Sequence, residues 1–529
     1  MIMLQNRKTL ALEILLLGAF IATVYLVDYT PFTGFDDAYI FVRYARNIMD
    51  GHGYVWNVGD APVDGLTSPL WLLMVLAAWP FATPENIMNA HFMSALGLGA
   101  GIVFIIVYYK IIQAILPQRF CGFAFLPILL LWAGNYNLGF HMRTGMETLL
   151  GATLLCAYLY GVYCLCVRDE FTARRGLWLG ALGFACVLAR PEYGLAAVGA
   201  PACGWLISRD RGRGREFLSA LAVSAALLLV YGAWRLWYFH ELFPLPFYIK
   251  GSLFNFVYED YNQNAGNAIR ATQLYYIRGS IPEHLVVIGG LLYRRRGRAL
   301  MPVWLPLYAL VAYISTTVQI MGNFNRYYFG IEAALLALAA MAWRDEEDAP
   351  AVALHPLTRA RAGMELGLTA TVALLTVWSL CYPWTTANEY VSAPAKSGRY
   401  RPMKPLMALP AGTTIATTEV GMLGALVPQC RIYDVAGLND PVFARGFDVD
   451  EFYRRKPDII TLLHSHYEGM TRRIMNDPRF ADYEKVIGIP PETTEPQLLS
   501  AIWMNSKAPN ADVLRETIKR VDAEWKTPE

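Results

Sequence analysis

The sequence predicts a mainly α-helical, polytopic membrane bundle of about eleven transmembrane helices, followed by a C-terminal α/β domain. Of the 529 residues, 55% are hydrophobic and 17% are charged, against about 25% charged residues in soluble domains. The mean hydropathy is +0.31, and long apolar runs of the kind that span membranes recur up to residue 383. This composition excludes a soluble enzyme, a nucleic-acid-binding protein and a disordered scaffold as descriptions of the whole chain.

The first predicted span, Thr9–Val27, follows Arg7 and Lys8 and has no small-residue cleavage site after it, so it is predicted to remain as an uncleaved helix. Further apolar runs lie at 88–109, 120–134, 146–167, 176–190, 193–207, 217–238, 281–292, 300–318, 328–343 and 363–383. Arginine clusters near 168–175, 209–215, 294–298 and 344–361 alternate with these runs. The positive-inside rule places these clusters and the N-terminus in the cytoplasm.

The run 68–82 is predicted to be a helix at the outer membrane interface rather than a span. It begins at Ser68-Pro69 and ends near Trp79-Pro80, too short to cross comfortably at about 1.5 Å per residue. Lys110 is expected in the cytoplasm and residues 28–67 outside, so an odd number of crossings must separate them, and this assignment provides it. The predicted domains are a membrane domain, 1–383, with a first outer loop at 28–87, and an outer soluble domain, 384–529.

Within the soluble domain, three short segments are predicted to be strands: Thr413–Thr418, Arg431–Val435 and Asp458–Leu463. Glycine and proline turns separate them from helical stretches. No His/Cys cluster in the chain has the spacing of a zinc site, so no structural metal is expected.

Phe35-Asp36-Asp37 opens the first outer loop and begins a predicted amphipathic helix lying on the membrane. Its apolar stripe is Ala38, Phe41, Val42, Ala45 and Ile48/Met49, and its opposite face is Tyr39, Arg43, Arg46 and Asp50. A helix cap at Asp36, with Asp37 favouring the helix dipole, is one interpretation. The other is a reaction centre, which explains two adjacent carboxylates at a membrane surface.

Six isolated basic residues lie in the predicted outer loops, where membrane topology disfavours them: Arg43, Arg46, Arg143, Arg190, Lys250 and Arg326. For any single one of them, a side chain that extends to the membrane interface is as good an explanation as a functional role. Together they provide the charges that a phosphate-bearing lipid headgroup requires.

Two further motifs each support two interpretations. In His141-Met142-Arg143-Thr144-Gly145-Met146-Glu147, Thr144 and Glu147 have the spacing of a capping box for the next span. In Arg190-Pro191-Glu192, the two charges lie between short apolar halves. They are predicted to form a supporting ion pair, the alternative being that Arg190 contacts a phosphate.

These motifs occur in an ordered series from about residue 35 to 445: FDDAYIFVRYARN, GHGYVWN, VDGLTSPLW, HMRTGMET, LARPEYG, RLWYFHELFPLPFYIK, NFNRYYF, TTEVGMLG and YDVAGLNDP. The series resembles the GT-C superfamily of polyprenyl-phosphate-dependent glycosyltransferases. More narrowly, it is similar to the mycobacterial-type terminal arabinofuranosyltransferases. The resemblance implies eleven or more spans, a carboxylate in the first outer loop and a periplasmic C-terminal domain.

The resemblance also implies residue roles. Asp36, and after it Asp37, is the expected catalytic carboxylate. Residues expected at the donor phosphate are Arg143, Lys250, Arg326, Arg190 and His141, and those expected at the sugars are Tyr39, Arg43, Glu147, Glu192 and Tyr248. The loop lacks the second, spaced acid of metal-dependent oligosaccharyltransferases, so no cofactor is expected to be required, with a divalent cation left open.

The expected activity is transfer of arabinofuranose from decaprenyl- or undecaprenyl-phosphoryl-arabinose to a glycan or surface-protein acceptor. The protein is expected in the bacterial inner membrane with its active site facing the periplasm, as a monomer among membrane lipids. The alternatives are transfer of a hexose or aminopentose to lipid A or protein, and a lipid-sugar flippase. The catalytic carboxylate acts as a general base or, if configuration is retained, as a nucleophile.

Overall fold

The computed structural model describes residues 18–22, 36–116, 124–133, 138–167, 173–208, 210–250, 265–294, 296–317, 325–344, 401–461, 468–488 and 501–526. The predicted first span, Thr9–Val27, falls on described residues only at 18–22, which are helical. The predicted span 363–383 and the domain boundary at 383 lie outside the described residues.

The described part of the first 344 residues is almost entirely helical. Its helices are α1 (Asp36–Met49), α2 (Pro69–Ala78), α3 (Pro84–Met88), α4 (His91–Ile115), α5 (Leu126–Ala133), α6 (Leu138–His141), α7 (Thr148–Val167), α8 (Ala173–Ala189), α9 (Gly194–Ile207), α10 (Arg211–Tyr238), α11 (Leu245–Lys250), α12 (Ala265–Tyr293), α13 (Met301–Ile314) and α14 (Phe329–Trp343). Together with the C-terminal sheet described below, they confirm the predicted fold class of a helical membrane bundle with an α/β domain.

By length and composition, three described helices are long and apolar enough to cross a membrane: α4, α7 and α10. Shorter apolar helices include α13, α14 and the segment Ser280–Tyr293. The run 68–82 forms α2 and a 3-10 turn at Trp79–Phe81, and α2 packs against α1 and α8. Its placement at the membrane interface stays a prediction.

Two helices extend further than their apolar runs indicated. Helix α10 starts at Arg211 rather than at residue 217, because the Asp210 side chain accepts the N–H of Arg213 and caps its first turn. Helix α12 starts at Ala265, and the apolar run 281–292 is only its C-terminal part. Hydropathy detects the apolar part of a helix, and the polar turns that continue it give no such signal.

The C-terminal domain contains a five-stranded sheet in the order β2-β1-β3-β5-β4. Its strands are β1 (Thr414–Thr417), β2 (Arg431–Asp434), β3 (Ile459–Thr461), β4 (Tyr483–Gly488) and β5 (Ala501–Asn505). Strand β1 pairs in parallel with β2 and β3, whereas β5 pairs antiparallel with β3 and β4. The three predicted strands are confirmed, and β4 and β5 were missed.

The helices of this domain are α15 (Gly421–Leu426), α16 (Val449–Arg455), α17 (Glu468–Met475) and α18 (Ala511–Lys526). Helix α15, which connects β1 to β2, packs along α1 of the first loop. Ten of the 14 residues of α1 are therefore buried, including Tyr39 and Arg43 on its predicted polar face. The prediction of an open polar face is therefore wrong at Tyr39 and Arg43, and Arg43 lies against α15. Arg46 is half-buried and Asp50 is exposed.

Candidate active site

Six of the residues predicted from the sequence meet around the ring of Tyr327. The guanidinium carbons of Arg326 and Arg190 lie 5.3 and 5.5 Å from the ring centre, within the range of cation–π attraction. Lys250 Nζ donates to the Tyr327 hydroxyl at 3.4 Å. Arg326 Nη1 in turn contacts Asp37 Oδ2 at 3.4 Å. A carboxylate and three cations from four separate segments therefore share one small region.

Two glutamates complete this cluster through Arg190. Its Nε donates to Glu192 Oε1 at 2.6 Å, and its Nη1 donates to Glu147 Oε1 at 3.2 Å. The predicted Arg190–Glu192 pair is confirmed. Burial opposes the charge on Arg190, but the carboxylates of Glu192 and Glu147 outweigh it and raise the pKa of Arg190. We name these seven residues, centred on Tyr327, the cationic cluster: Asp37, Glu147, Arg190, Glu192, Lys250, Arg326 and Tyr327.

The turn before α7 places Glu147 in the cluster. Gly145 adopts a φ of +70°, where a Cβ would lie 2.6 Å from that of Met93, so only glycine fits the turn. The indole N–H of Trp71 donates to the Gly145 carbonyl at 2.9 Å. Because the Glu147 carboxylate pairs with Arg190, the structure supports the ion pair rather than a capping box with Thr144.

Sequence reasoning missed Tyr327 and Asn325, although both belong to the NFNRYYF motif. Asn325 is buried and has a φ of +54°, an uncommon backbone conformation that is enriched at functional sites. Within the described part of the chain, Asn325 Nδ2 and Glu147 Oε2 are buried without a hydrogen-bond partner. Such atoms require an explanation, and a polar ligand in the cluster provides one.

Asp36 does not share the environment of Asp37. Its two carboxylate oxygens accept the backbone N–H groups of Gly421 at 2.9 Å and Met422 at 2.8 Å. Asp36 thus caps a helix, as one interpretation of the sequence held, but it caps α15 of the C-terminal domain. Asp36 is buried, whereas Asp37 is partly exposed.

Arg43 and Arg46 bind the other end of α15. Arg43 Nη1 donates to the carbonyl of Gly424 at 2.7 Å and Nη2 to that of Cys430 at 3.0 Å, while Arg46 donates to that of Ala425 at 2.6 Å. Burial lowers the pKa of Arg43 to about 10. Arg43, predicted at the sugar pocket, is thus engaged at the interface between α1 and the C-terminal domain.

Four predicted residues remain: His141, Arg143, Tyr248 and Tyr39. The His141 ring packs edge-on against Phe329, 4.9 Å between centres, at the start of α14. Arg143 is buried, and its carbonyl accepts from Ser94 Oγ at 3.0 Å. The Tyr248 hydroxyl accepts the N–H of Phe243 at 3.4 Å. Tyr39 is buried in α1, where burial first, and then the charge of Asp36, raises the pKa of its hydroxyl.

A buried pair that the sequence did not reveal holds the first loop against the bundle. Arg235 of α10 forms an ion pair with Asp64 of the VDGLTSPLW motif, and both side chains are buried. The Tyr54 hydroxyl donates to the same carboxylate at 2.9 Å. Among the described residues, no group of three or more His, Cys, Asp or Glu side chains is arranged to hold a metal ion.

A protein-family model matches part of the chain, within the C-terminal domain. Residues 397–511 match a family described as a domain of unknown function, DUF8728. A comparison with the sequences of curated proteins finds no match.

Solved structures are similar over almost the whole chain. ArnT from Cupriavidus metallidurans, bound to undecaprenyl phosphate, is 13% identical with a TM-score of 0.54, and the match covers 94% of this chain and 98% of that one. The oligosaccharyltransferase AglB from Archaeoglobus fulgidus, in complex with an inhibitory peptide and a dolichol-phosphate, is 12% identical with a TM-score of 0.50. That match covers 99% of this chain and 75% of AglB. The chain therefore has the GT-C fold that its motif series implied.

Proposed function

We propose that the protein transfers a sugar from a polyprenyl-phosphate carrier to an acceptor, with Asp37 as the catalytic carboxylate. The observation that carries this proposal is the contact between partly exposed Asp37 and buried Arg326 within the cationic cluster. The two similar structures contain undecaprenyl phosphate and a dolichol-phosphate. A carrier of this kind presents a phosphate at the membrane surface, where Lys250, whose described hydrogen bond is with a hydroxyl rather than a carboxylate, would bind it.

The surroundings of the two acids favour Asp37 over Asp36 as the catalytic group. A general base needs a lone pair directed to the acceptor hydroxyl. Both oxygens of Asp36 already accept backbone N–H groups, so Asp36 is proposed to hold α1 against the C-terminal domain. Asp37 next to it would take the acceptor proton as the glycosidic bond to the phosphate breaks.

Lys250 is the proposed primary contact of the phosphate. Two carboxylates balance the charge of Arg190, and Asp37 faces Arg326. The hydrogen bond described for Lys250 is with the neutral Tyr327 hydroxyl. An ammonium group in this position can donate hydrogen bonds to a phosphate oxygen without giving up a carboxylate, and Arg326 would stabilise the leaving group from the Asp37 side.

The motif resemblance favours arabinofuranose as the transferred sugar, from decaprenyl- or undecaprenyl-phosphoryl-arabinose, and a glycan or surface protein as the acceptor. The alternatives are a hexose or aminopentose transferred to lipid A or protein. Charge placement supports an inner-membrane protein with the cationic cluster on the periplasmic side. No metal is proposed, because the cluster pairs its carboxylates with arginines rather than grouping them.

One observation favours a lipid-sugar flippase as the second candidate function. Tyr276 and His284 of α12 lie 3.3 Å apart between hydroxyl and Nε2, and the Tyr276 hydroxyl also donates to Glu332 of α14 at 3.4 Å. Ionisable groups buried between apolar helices commonly mark transport paths. Glu332, however, lies in the first turn of α14, directly after Arg326 and Tyr327 of the cluster. This position is also consistent with a role in the transferase site, so the flippase remains the second candidate.

A transfer assay on the full chain in nanodiscs tests the function. Undecaprenyl-phosphate-linked arabinofuranose, hexose and aminopentose are supplied in turn with membrane glycan, lipid A and peptide acceptors, with and without EDTA. We expect sugar transfer from the arabinofuranose donor, unchanged by EDTA. Transfer from another donor alone would correct the sugar, and translocation of a lipid-linked sugar without transfer from any donor would favour the flippase.

Replacing Lys250 with Ala is expected to weaken donor use. Losing one charge-assisted contact of about 1.5–3 kcal/mol should raise the donor KM roughly 10- to 100-fold, while the acceptor KM changes little. Steady-state kinetics with each substrate varied separately measures both effects. The matched control is Arg454→Ala in the soluble domain, which removes an exposed cation paired with Glu451. An unchanged donor KM in Lys250→Ala would contradict the assignment.

A further inference from the structure

The sheet of the C-terminal domain has a topological switch point between β1 and β3, here called the β1/β3 crevice, at the kind of position where α/β proteins bind ligands. In the order β2-β1-β3, the chain leaves β1 toward β2 on one side and later returns past β1 to β3 on the other. The carboxyl ends of β1 and β3 therefore flank the point where the connections diverge. Ligands in open α/β sheets bind at this topological switch point, including in sheets with the same 2-1-3 order.

Two threonine hydroxyls at this switch point have no hydrogen-bond partner within the described part of the chain. Thr461 is the last residue of β3 and pairs in register with Thr417, and Thr418 directly follows β1. Both threonines are buried, and their Oγ1 atoms are without a partner. A buried hydroxyl without a partner costs about 1–3 kcal/mol, and two at the same end of adjacent strands call for a ligand.

The carboxylates at the same end of the sheet are already engaged. Asp434, the last residue of β2, accepts the backbone N–H groups of Gly437 at 3.1 Å and Asn439 at 2.7 Å. Asp440 accepts the N–H of Val442 and pairs with Arg455. Among the described residues, the groups left for a ligand are therefore neutral: the two hydroxyls, which both donate and accept hydrogen bonds, and the Asn439 amide oxygen, which accepts them.

This end of the sheet faces the first loop, beside the proposed catalytic acid. The segment after Thr418 enters α15, whose first N–H groups bind Asp36, the neighbour of Asp37. From the β2 side, Asn439 closes onto Gly65 of the first loop, where a Cβ would lie 1.8 Å from Asn439 Oδ1. A ligand held at Thr418 and Thr461 would therefore lie next to the segment that carries Asp37.

We propose that the β1/β3 crevice is a subsite for a neutral, hydroxyl-rich segment of the acceptor, that is, a carbohydrate. This inference rests on the proposed function and specifies its acceptor class. Sugar hydroxyls match threonine hydroxyls because each group can both donate and accept hydrogen bonds. A peptide acceptor would instead be expected along a free sheet edge, where rows of backbone N–H and C=O groups are open.

The substitutions Thr418→Val and Thr461→Val test the subsite, because they remove a hydroxyl and keep the side-chain shape. In the transfer assay, each should raise the acceptor KM about threefold to tenfold, the effect of one lost hydrogen bond, with the donor KM unchanged. The melting temperature should stay equal or rise, because the hydroxyl has no partner among the described residues. Unchanged acceptor KM in both variants would overturn the subsite and leave the proposed function intact.

Thr413→Val is the matched control at the opposite end of β1. Its hydroxyl donates to the carbonyl of Pro410 at 2.7 Å, so this variant should melt earlier and keep the acceptor KM. If Thr418 and Thr461 had a purely structural role, all three variants would melt earlier and keep the acceptor KM. That result would overturn the proposal.

Direct binding separates the subsite from catalysis. Fluorescent methyl glycosides and short oligosaccharides of arabinofuranose, mannose and glucose are titrated into the full chain in nanodiscs, alongside unglycosylated peptides. Saccharide binding that is weaker in both valine variants supports the subsite, even if no sugar transfer is found. The absence of transfer would contradict the proposed function but not the subsite. Threonine-dependent binding of the peptides, or no saccharide binding by the wild type, would overturn it.

Discussion

Replacing Asp37 with Asn is expected to lower the turnover number by about two to four orders of magnitude, the usual contribution of a general base. The variant should fold but melt somewhat earlier, because buried Arg326 loses the Asp37 carboxylate while keeping its stacking on Tyr327. Turnover of a polyprenyl-phosphate-linked sugar, measured with both substrates saturating, together with thermal unfolding in detergent, checks this expectation.

The matched comparison is Asp36→Asn, one residue away. Asp36 accepts two backbone N–H groups, one with each oxygen. Asn offers one oxygen and an N–H₂ group, so one amide of α15 would lose its acceptor at a cost of about 1–3 kcal/mol. This variant should melt earlier and lose part of its activity. A fully stable, inactive Asp36→Asn together with an active Asp37→Asn would reverse the two roles.

Replacing Gly421 with Ala is expected to detach the C-terminal domain from α1. A Cβ at this position would lie 1.8 Å from the backbone oxygen of Asp36 and 2.8 Å from its Oδ2. Backbone atoms cannot yield by this amount, so the contact between α15 and α1 must open, at a cost of at least about 1–3 kcal/mol. We expect faster proteolysis between the two domains, a lower melting temperature and at least a tenfold loss of transfer.

Gly99→Ala serves as the control for this substitution. Gly99 lies in α4, and a Cβ there would meet no atom within 4 Å. Alanine also favours a helix over glycine by about 1 kcal/mol, so this variant should be at least as stable as the wild type and fully active. If Gly421→Ala behaved in the same way, the C-terminal domain would not hold the catalytic segment in place.

Local sequence determined the fold class, the parallel strands and one ion pair. Apolar runs separated by basic loops predict a helical membrane bundle because hydropathy and charge act on each segment independently. The strands β1, β2 and β3 were predicted within one or two residues. The Arg190–Glu192 pair was predicted because the two residues are close in the chain and cannot remain buried without partners.

The sequence was less informative where polar turns continue a helix or where partners are distant. It missed the polar start of α12 and the strands β4 and β5. It placed Asp36 ahead of Asp37 as the catalytic acid, an order that the proposed function reverses, because two adjacent carboxylates are indistinguishable until their surroundings are known. It also assigned the polar face of α1 to solvent, whereas Tyr39 and Arg43 on that face are buried.

Tertiary structure decided which residues form the cationic cluster and which hold the domains together. Asp37 meets Arg326 across 289 positions of the chain, and Asp36 meets Gly421 across 385. Local propensity carries no information over such separations, since these contacts depend on how whole helices pack. The sequence determined which kinds of side chain occupy the predicted outer loops. Packing alone determined that one aspartate of the pair contacts Arg326 in the cationic cluster, while its neighbour caps a helix of the C-terminal domain.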